Sequence, residues 1–199
     1  MALGLVLFAL ALAAGRAEVL TQGERDRAMS DLHATRKRFL DSVAGLSDAQ
    51  WKFKPDDKTW SIAECAEHIA ISEDAIFQII TGKILKSPAA PEKRGEVQRK
   101  DELVMKAIRD RSGKFSAPES LKPSGRWPTP DAMVAQFKKS RDSHIAYIQT
   151  TQDDLRSHFL PHPATKEIDG YQWLLLLSAH SDRHVMQILD VKGHPGYPK

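Results

Sequence analysis

Two histidines four residues apart, His180 and His184, lie within the stretch from Tyr171 to Val191. A helix advances about 100° per residue, which puts Trp173, Leu176, Leu177, His180, His184, Gln187 and Val191 on one face, with both imidazoles inside an apolar stripe. Side chains one turn apart start about 6 Å apart at Cβ, so two rings can reach one cation. The blander reading of the same spacing is a pair of hydrogen-bonded core histidines. His68 also faces inward, between Cys65 and Ser72 on the flank of another apolar stripe. Read alone, it is a satisfied core residue before it is a ligand. Cys65, one turn earlier, is either a thiol nucleophile or a small core residue, and as the sole cysteine it makes no intramolecular disulfide.

These groups need elements to hold them. Apolar residues recur at helical spacing from Gln22 to Ala44, which predicts a first helix. Ser47 and Gln50 form a capping box for a short turn, with Trp51 and Phe53 as lids on the core. Ser61 and Glu64 form a second box ahead of Cys65, Ile69, Ile76, Ile79 and Ile80, predicting a helix to about Leu85. From Ser87 to Pro130 six prolines punctuate the chain and leave room for one helix near Lys100 to Arg111. Trp127 is the lid candidate there. Thr129-Pro130-Asp131 then starts a third long helix carrying Met133, Val134, Phe137, Ile145, Ile148 and Leu155. On it, His144 has no partner at i±3 or i±4 and reads as partly exposed. His158 and His162 repeat the four-residue spacing, but Pro161 and Pro163 forbid a helix, so Arg156 to Gly170 reads as a loop with surface histidines. The expected fold is all-α, a four-helix bundle over residues 22–193 with a long crossover between its second and third helices.

A chain of 199 residues with 41% hydrophobic residues supports one domain with a proper core. The net charge of +3 is too small to imply nucleic-acid or anionic-membrane binding, because the basic residues of Lys93 to Lys114 alternate with acidic ones. The run from Ala2 to Ala14 has the length of a signal-peptide core, with small residues suiting cleavage after Ala13 or Ala17. Residues 1–17 are therefore expected to be an export leader, or a membrane anchor if retained, although no basic residue precedes the run. After cleavage no membrane contact is expected, and the apolar face of the first helix could serve a homodimer.

Three stretches carry a family likeness: Thr59-Trp60-Ser61-Ile62-Ala63-Glu64 followed by His68; Gly125-Arg126-Trp127-Pro128-Thr129-Pro130; and Asp169-Gly170-Tyr171-Gln172-Trp173 followed by Ala179-His180-Ser181-Asp182-Arg183-His184 and Gln187-Ile188. In order and separation the chain resembles the DinB-like (DinB/YfiT) superfamily, of the DinB_2 type, from about Arg27 to Lys192. The resemblance implies a four-helix bundle in which His68, His180 and His184 hold a divalent metal, Zn, Ni or Fe. Three protein ligands leave positions open for water, as in catalytic sites. The activity expected first is metal-dependent hydrolysis of a small molecule, with Glu64 and Glu67 as candidate general bases. Asp182 projects away from the histidine face, and no His-Glu-x-x-His is present, which disfavours a zincin protease. The alternatives are a thiol S-transferase using bacillithiol or mycothiol, as in some relatives, and a non-enzymatic, stress-related metal-binding bundle.

Overall fold

The computed structural model describes residues 19–113 and 115–199. The expected leader, residues 1–17, lies outside them. Four long helices build the domain: α1 (Gln22–Val43), α3 (Ile62–Gly82), α6 (Pro130–Thr150) and α7 (Gly170–Lys192). The short α2 (Asp48–Lys52) follows α1, and the crossover contains α4 (Arg94–Val97) and α5 (Asp101–Arg109). Side-chain caps define the starts of the long helices. Thr21 with Glu24, Ser61 with Glu64 and Asp169 with Gln172 form capping boxes, while Thr129 caps α6 ahead of Pro130. Among the described residues, no helix is long and apolar enough to cross a membrane.

The buried apolar side chains divide into two clusters, and the helices' directions follow from the order in which each chain segment visits them. Both α1 and α7 pass from the first cluster (Ala28 and Leu32; Leu174 to Leu177) to the second (Phe39 and Val43; Val185 and Ile188). The other two long helices run the opposite way, α3 from Ile62 and Ile69 to Ile76 and Ile80, α6 from Met133 and Phe137 to Ile145 and Ile148. Helix α7 packs against α1 and α3, and α6 packs against the same two, so α1 faces α3 across one diagonal and α6 faces α7 across the other. Because α3 and α6 are parallel neighbours, the chain between them must travel back along the bundle. Its α5 lies against α7 on the way. With α1, α3 and α5 all packed on it, α7 is buried on nearly every side, and its apolar residues extend well beyond a single stripe.

A polar layer separates the two apolar clusters. Arg141 of α6, fully buried, uses all five guanidinium N–H bonds. Nε donates to Glu73 Oε2 (3.0 Å), Nη1 to Leu32 O (2.8 Å) and Thr35 Oγ1 (2.7 Å), and Nη2 to Ser181 Oγ (2.8 Å) and Glu73 Oε1. One side chain thereby touches every long helix. His144 belongs to this layer: its Nδ1 lies 3.3 Å from Glu73 Oε2 and its ring stacks on Phe77 at 4.1 Å between centroids. This corrects the expected exposure of His144. Its partner is supplied by α3 across the interface, where spacing along α6 gives no hint of it.

Two further expectations change between α6 and α7. Helix α6 ends at Thr150, so Leu155 is a buried loop residue, although its register continued the helical pattern. The loop also contains a two-stranded antiparallel hairpin, β1 (Phe159–His162) and β2 (Lys166–Asp169), pairing Phe159 with Asp169 and His162 with Lys166. His158 and His162 are half-buried. His162 packs edge-on to Trp173 with centroids 5.2 Å apart. Arg156 clasps this end of the domain, donating to Glu24, Asp101 and Asp169 at 2.7–3.0 Å with its guanidinium over the Tyr171 ring.

Gly170, the first residue of α7, is required by this arrangement. A Cβ there would lie 3.0 Å from both the Leu155 side chain and the Leu155 carbonyl oxygen, and the backbone cannot yield as a flexible side chain would. Gly170→Ala is expected to lower stability by about 1–3 kcal/mol, the usual cost of overpacking, read as a shift of the urea midpoint at unchanged slope.

Candidate metal centre

The three histidines converge. His68 projects from the first half of α3, His180 and His184 from the middle of the antiparallel α7, and one nitrogen from each lies within 4.8 Å of the others. The Nε2 atom of His180 is 3.2 Å from Nε2 of His68 and 3.2 Å from Nε2 of His184. Donor atoms about 2.0–2.1 Å from a tetrahedral zinc ion would be separated by ~3.3 Å, so the spacing suits a shared cation.

Hydrogen bonds on the far side of two rings sharpen the point. His68 Nδ1 is 2.7 Å from the Leu121 carbonyl oxygen, which can only accept, so this nitrogen carries the proton. His184 Nδ1 is 2.6 Å from Gln187 Oε1, one turn along α7, and donates to it likewise. Both Nε2 atoms are then bare lone pairs directed at His180. A neutral His180 can donate one proton, to one of them. At least one buried lone pair is left facing another nitrogen unless a cation sits between, and such carbonyl-oriented imidazoles are the usual supporting arrangement of metal ligands.

The electrostatics favour neutral rings. Burial, with the facing His184 and His68 rings, holds His180 well below the ordinary histidine range. Burial and the nearby His68 hold His184 at about 3, and burial lowers His68 despite the Leu121 carbonyl. Neutral imidazoles keep the lone pairs that metal coordination requires. Trp60 walls one flank, its ring 5.0 Å from that of His68 and stacked on that of His184 at 6.3 Å. The crossover closes around the site from both sides. Arg183 of α7 donates to the carbonyls of Ile108, Asp110 and Gly113, while Leu121 to Arg126 is held against α3.

The carboxylates expected as bases are engaged elsewhere. Glu64 Oε2 accepts from the Ser61 backbone N–H at 2.7 Å and Oε1 pairs with Lys54 at 3.0 Å, completing the cap of α3. Glu67 accepts three backbone N–H bonds, from Ser124 (2.9 Å) and Arg126 (3.0 Å) at Oε1 and from Gly125 (3.0 Å) at Oε2. Burial pushes the Glu67 carboxyl up, but these backbone donors outweigh it and leave it below the usual range. A carboxylate so occupied is a poor proton acceptor. Asp182 points away from the histidines, to Arg38 (2.8 Å) and Arg109 (3.0 Å). Cys65 is 1% exposed, and burial pushes its thiol up to about 12, so it keeps its proton at neutral pH and acts as core, not as a nucleophile. Trp127 is half-buried against the second apolar cluster.

Sequence reasoning missed the supporting groups. Gln187 stood on the histidine face, and an amide one turn after His184 was a usable signal. Leu121 acts through its carbonyl, which no side-chain pattern reveals.

The chain is similar to known proteins in fold and in sequence. A solved structure with TM-score 0.56 and 13% identity, covering 91% of this chain and 93% of its own, is YfiT from Bacillus subtilis, described as a probable metal-dependent hydrolase with an unusual four-helix bundle topology. YuaE of Bacillus subtilis, an uncharacterized protein, is 24% identical over 164 residues, covering 82% of this chain and 96% of YuaE. The DinB_2 family model matches residues 31–188, a span that includes all three histidines, and on that match the chain belongs to the DinB superfamily.

Proposed function

We propose that this protein is a metal-dependent hydrolase of a small molecule, with His68, His180 and His184 as the ligands of a divalent ion. The observation that carries the reading is the pair of Nε2 lone pairs, each fixed by a proton held on the opposite side of its ring and each 3.2 Å from His180 Nε2. The chain's part is to keep three imidazoles neutral, aimed and spaced, and to keep water off one flank with Trp60. Neither Glu64 nor Glu67 is assigned as base, because the cap of α3 and the crossover turn occupy their oxygens. When bound, a divalent ion would lower the pKa of water in its open positions, the chemistry that hydrolysis needs. The leader expected at residues 1–17, acting as an export signal, would place the protein where small reduced thiols are scarce, which favours hydrolysis over thiol transfer.

The test is elemental analysis of purified protein, then a screen of small esters, amides and phosphate esters with Zn²⁺-, Ni²⁺- or Fe²⁺-loaded protein. Turnover that disappears on chelation and returns with the ion is the expected result. Bound metal with thiol transfer but no hydrolysis would replace this reading with the transferase one. Tight metal binding with neither activity, and a large fall in melting temperature on chelation, would replace it with a structural ion.

A further inference from the structure

Glu67 and His68 are neighbours on α3, and both hold the same short piece of the crossover. The imidazole donates to the carbonyl of Leu121, at the start of the piece, while the carboxylate gathers the N–H groups of Ser124, Gly125 and Arg126 at its end. The Glu67 carboxylate is largely covered, while its donors come from a turn on the surface, so these charge-assisted bonds are the turn's attachment to α3. Gly125 has φ 72°, the left-handed conformation that lets successive N–H groups turn toward one anion. The turn is thus a bracket, with one end fastened to a carboxylate and the other ending on the imidazole of a metal-ligand candidate.

We infer that Glu67 is a positioning residue: by clamping the Ser124–Arg126 turn it fixes the Leu121 carbonyl, which in turn holds His68 in the tautomer and orientation that present Nε2 to the metal. This rests on the metal-site reading above. A turn released from Glu67 lets the Leu121 carbonyl drift. The His68 proton then gains access to Nε2, and the ring loses both its aim and part of its lone-pair population. The three N–H contacts thus act on one peptide carbonyl three to five residues away, which gives a reason for a carboxylate beside His68 whose oxygens are taken up by backbone donors.

The experiment compares full-length wild type, Glu67→Gln and Gly125→Ala, with His184→Ala as the control for the site. Zn²⁺ affinity is measured by competition with a chromophoric chelator, Co²⁺ loading by its visible absorption, and the His68 tautomer by heteronuclear NMR of the metal-free chain. Both Glu67→Gln and Gly125→Ala are expected to bind Zn²⁺ about tenfold more weakly, in line with supporting-shell substitutions. They should also show altered Co²⁺ bands and a His68 ring shifted toward the Nε2–H tautomer, while the metal-free melting temperature of Gly125→Ala falls by only about 2–8 °C, the cost of a residue forced into the left-handed conformation. Gly125 is exposed with nothing near the place a Cβ would take, so an alanine there leaves the core intact and its strain at φ 72° falls on the turn alone, which decides the matter even where Glu67→Gln folds poorly. Unchanged affinity, Co²⁺ spectrum and tautomer in both variants would overturn the positioning role and leave the metal site standing. A wild type that takes up no ion, matching His184→Ala, would overturn the site and this inference with it.

Discussion

His180→Ala and His184→Ala are each expected to lose stoichiometric metal, with affinity falling by more than the ~10–100-fold typical of supporting residues. The reason is geometric. His180 Nε2 is the shared neighbour of the other two, and His184 is one of the two rings whose lone pair is fixed from behind. Either change leaves two ligands, too few for a firm three-histidine site. The thermal consequence distinguishes metal loss from damage to the fold. At a free ion concentration of 100 times Kd, binding adds about 2.7 kcal/mol to stability. For a chain of this size that is roughly 5–11 °C in melting temperature. Wild type should lose that increment on adding chelator, and both variants should lack it from the start. Without metal, His184→Ala should melt no lower than wild type by more than the cavity it creates, because it removes a lone pair that faces another nitrogen, whereas His180→Ala should melt lower still, because it also removes the proton donor that one of the remaining lone pairs uses. Calorimetry with and without chelator reads all six states. Stoichiometric metal surviving in both variants would remove the site altogether.

The same geometry shows which parts of the site the chain announces in one dimension. A four-residue spacing on an apolar face already specifies that His180 and His184 share a direction, because helix periodicity is local. The capping boxes at Ser61 and the Thr129-Pro130 start are local in the same way, and they locate α3 and α6 to within a few residues. The arrival of His68 beside His180 is not local: its hydrogen-bonding range spans 112 residues, and family likeness, not periodicity, brought those histidines together. Everything that supports the site shares that property. Glu67 meets backbone donors 57–59 residues away, and Arg141 finds acceptors on helices 40–109 residues distant. In one dimension Glu67 looks like an acid free for catalysis, since the backbone N–H groups that occupy it belong to residues of no special type. The hairpin was hidden for a different reason. Strands of four residues, the first of them containing Pro161, carry too little alternation to stand out, and their pairing is set by the three-residue loop between them. His144 failed the local test of spacing because its partner, Glu73, lies across the α3–α6 interface.

Arg141→Ala should cost about 3–5 kcal/mol, since it strips a buried carboxylate of its counter-charge while leaving the carboxylate in place. Arg141 is 0% and Glu73 1% exposed, so water cannot take over the missing bonds. At 2–4 °C per kcal/mol this is a fall of roughly 6–20 °C in melting temperature. The paired variant Arg141→Met with Glu73→Leu should recover most of the loss, because apolar groups of similar volume replacing both members of a buried pair are often neutral or stabilising. Recovery would show that the Arg141–Glu73 pair adds little net stability over a well-packed apolar pair. The pH dependence gives an independent reading. Burial raises the Glu73 carboxyl, but the Arg141 charge and the bonds from His144 and Arg141 outweigh it, so its folded pKa lies below the ordinary value of 4.5. A carboxyl lowered on folding contributes stability that is complete above the unfolded-state value and drains away as pH falls through the folded one. Urea midpoints measured from pH 7 down to about 3 should therefore decline in wild type below roughly pH 4.5, and decline less steeply in the paired variant, which has no carboxyl there to protonate. Equal slopes in the two proteins would mean that Glu73 is not held ionised by Arg141, and the polar layer would have to be assigned a different charge state.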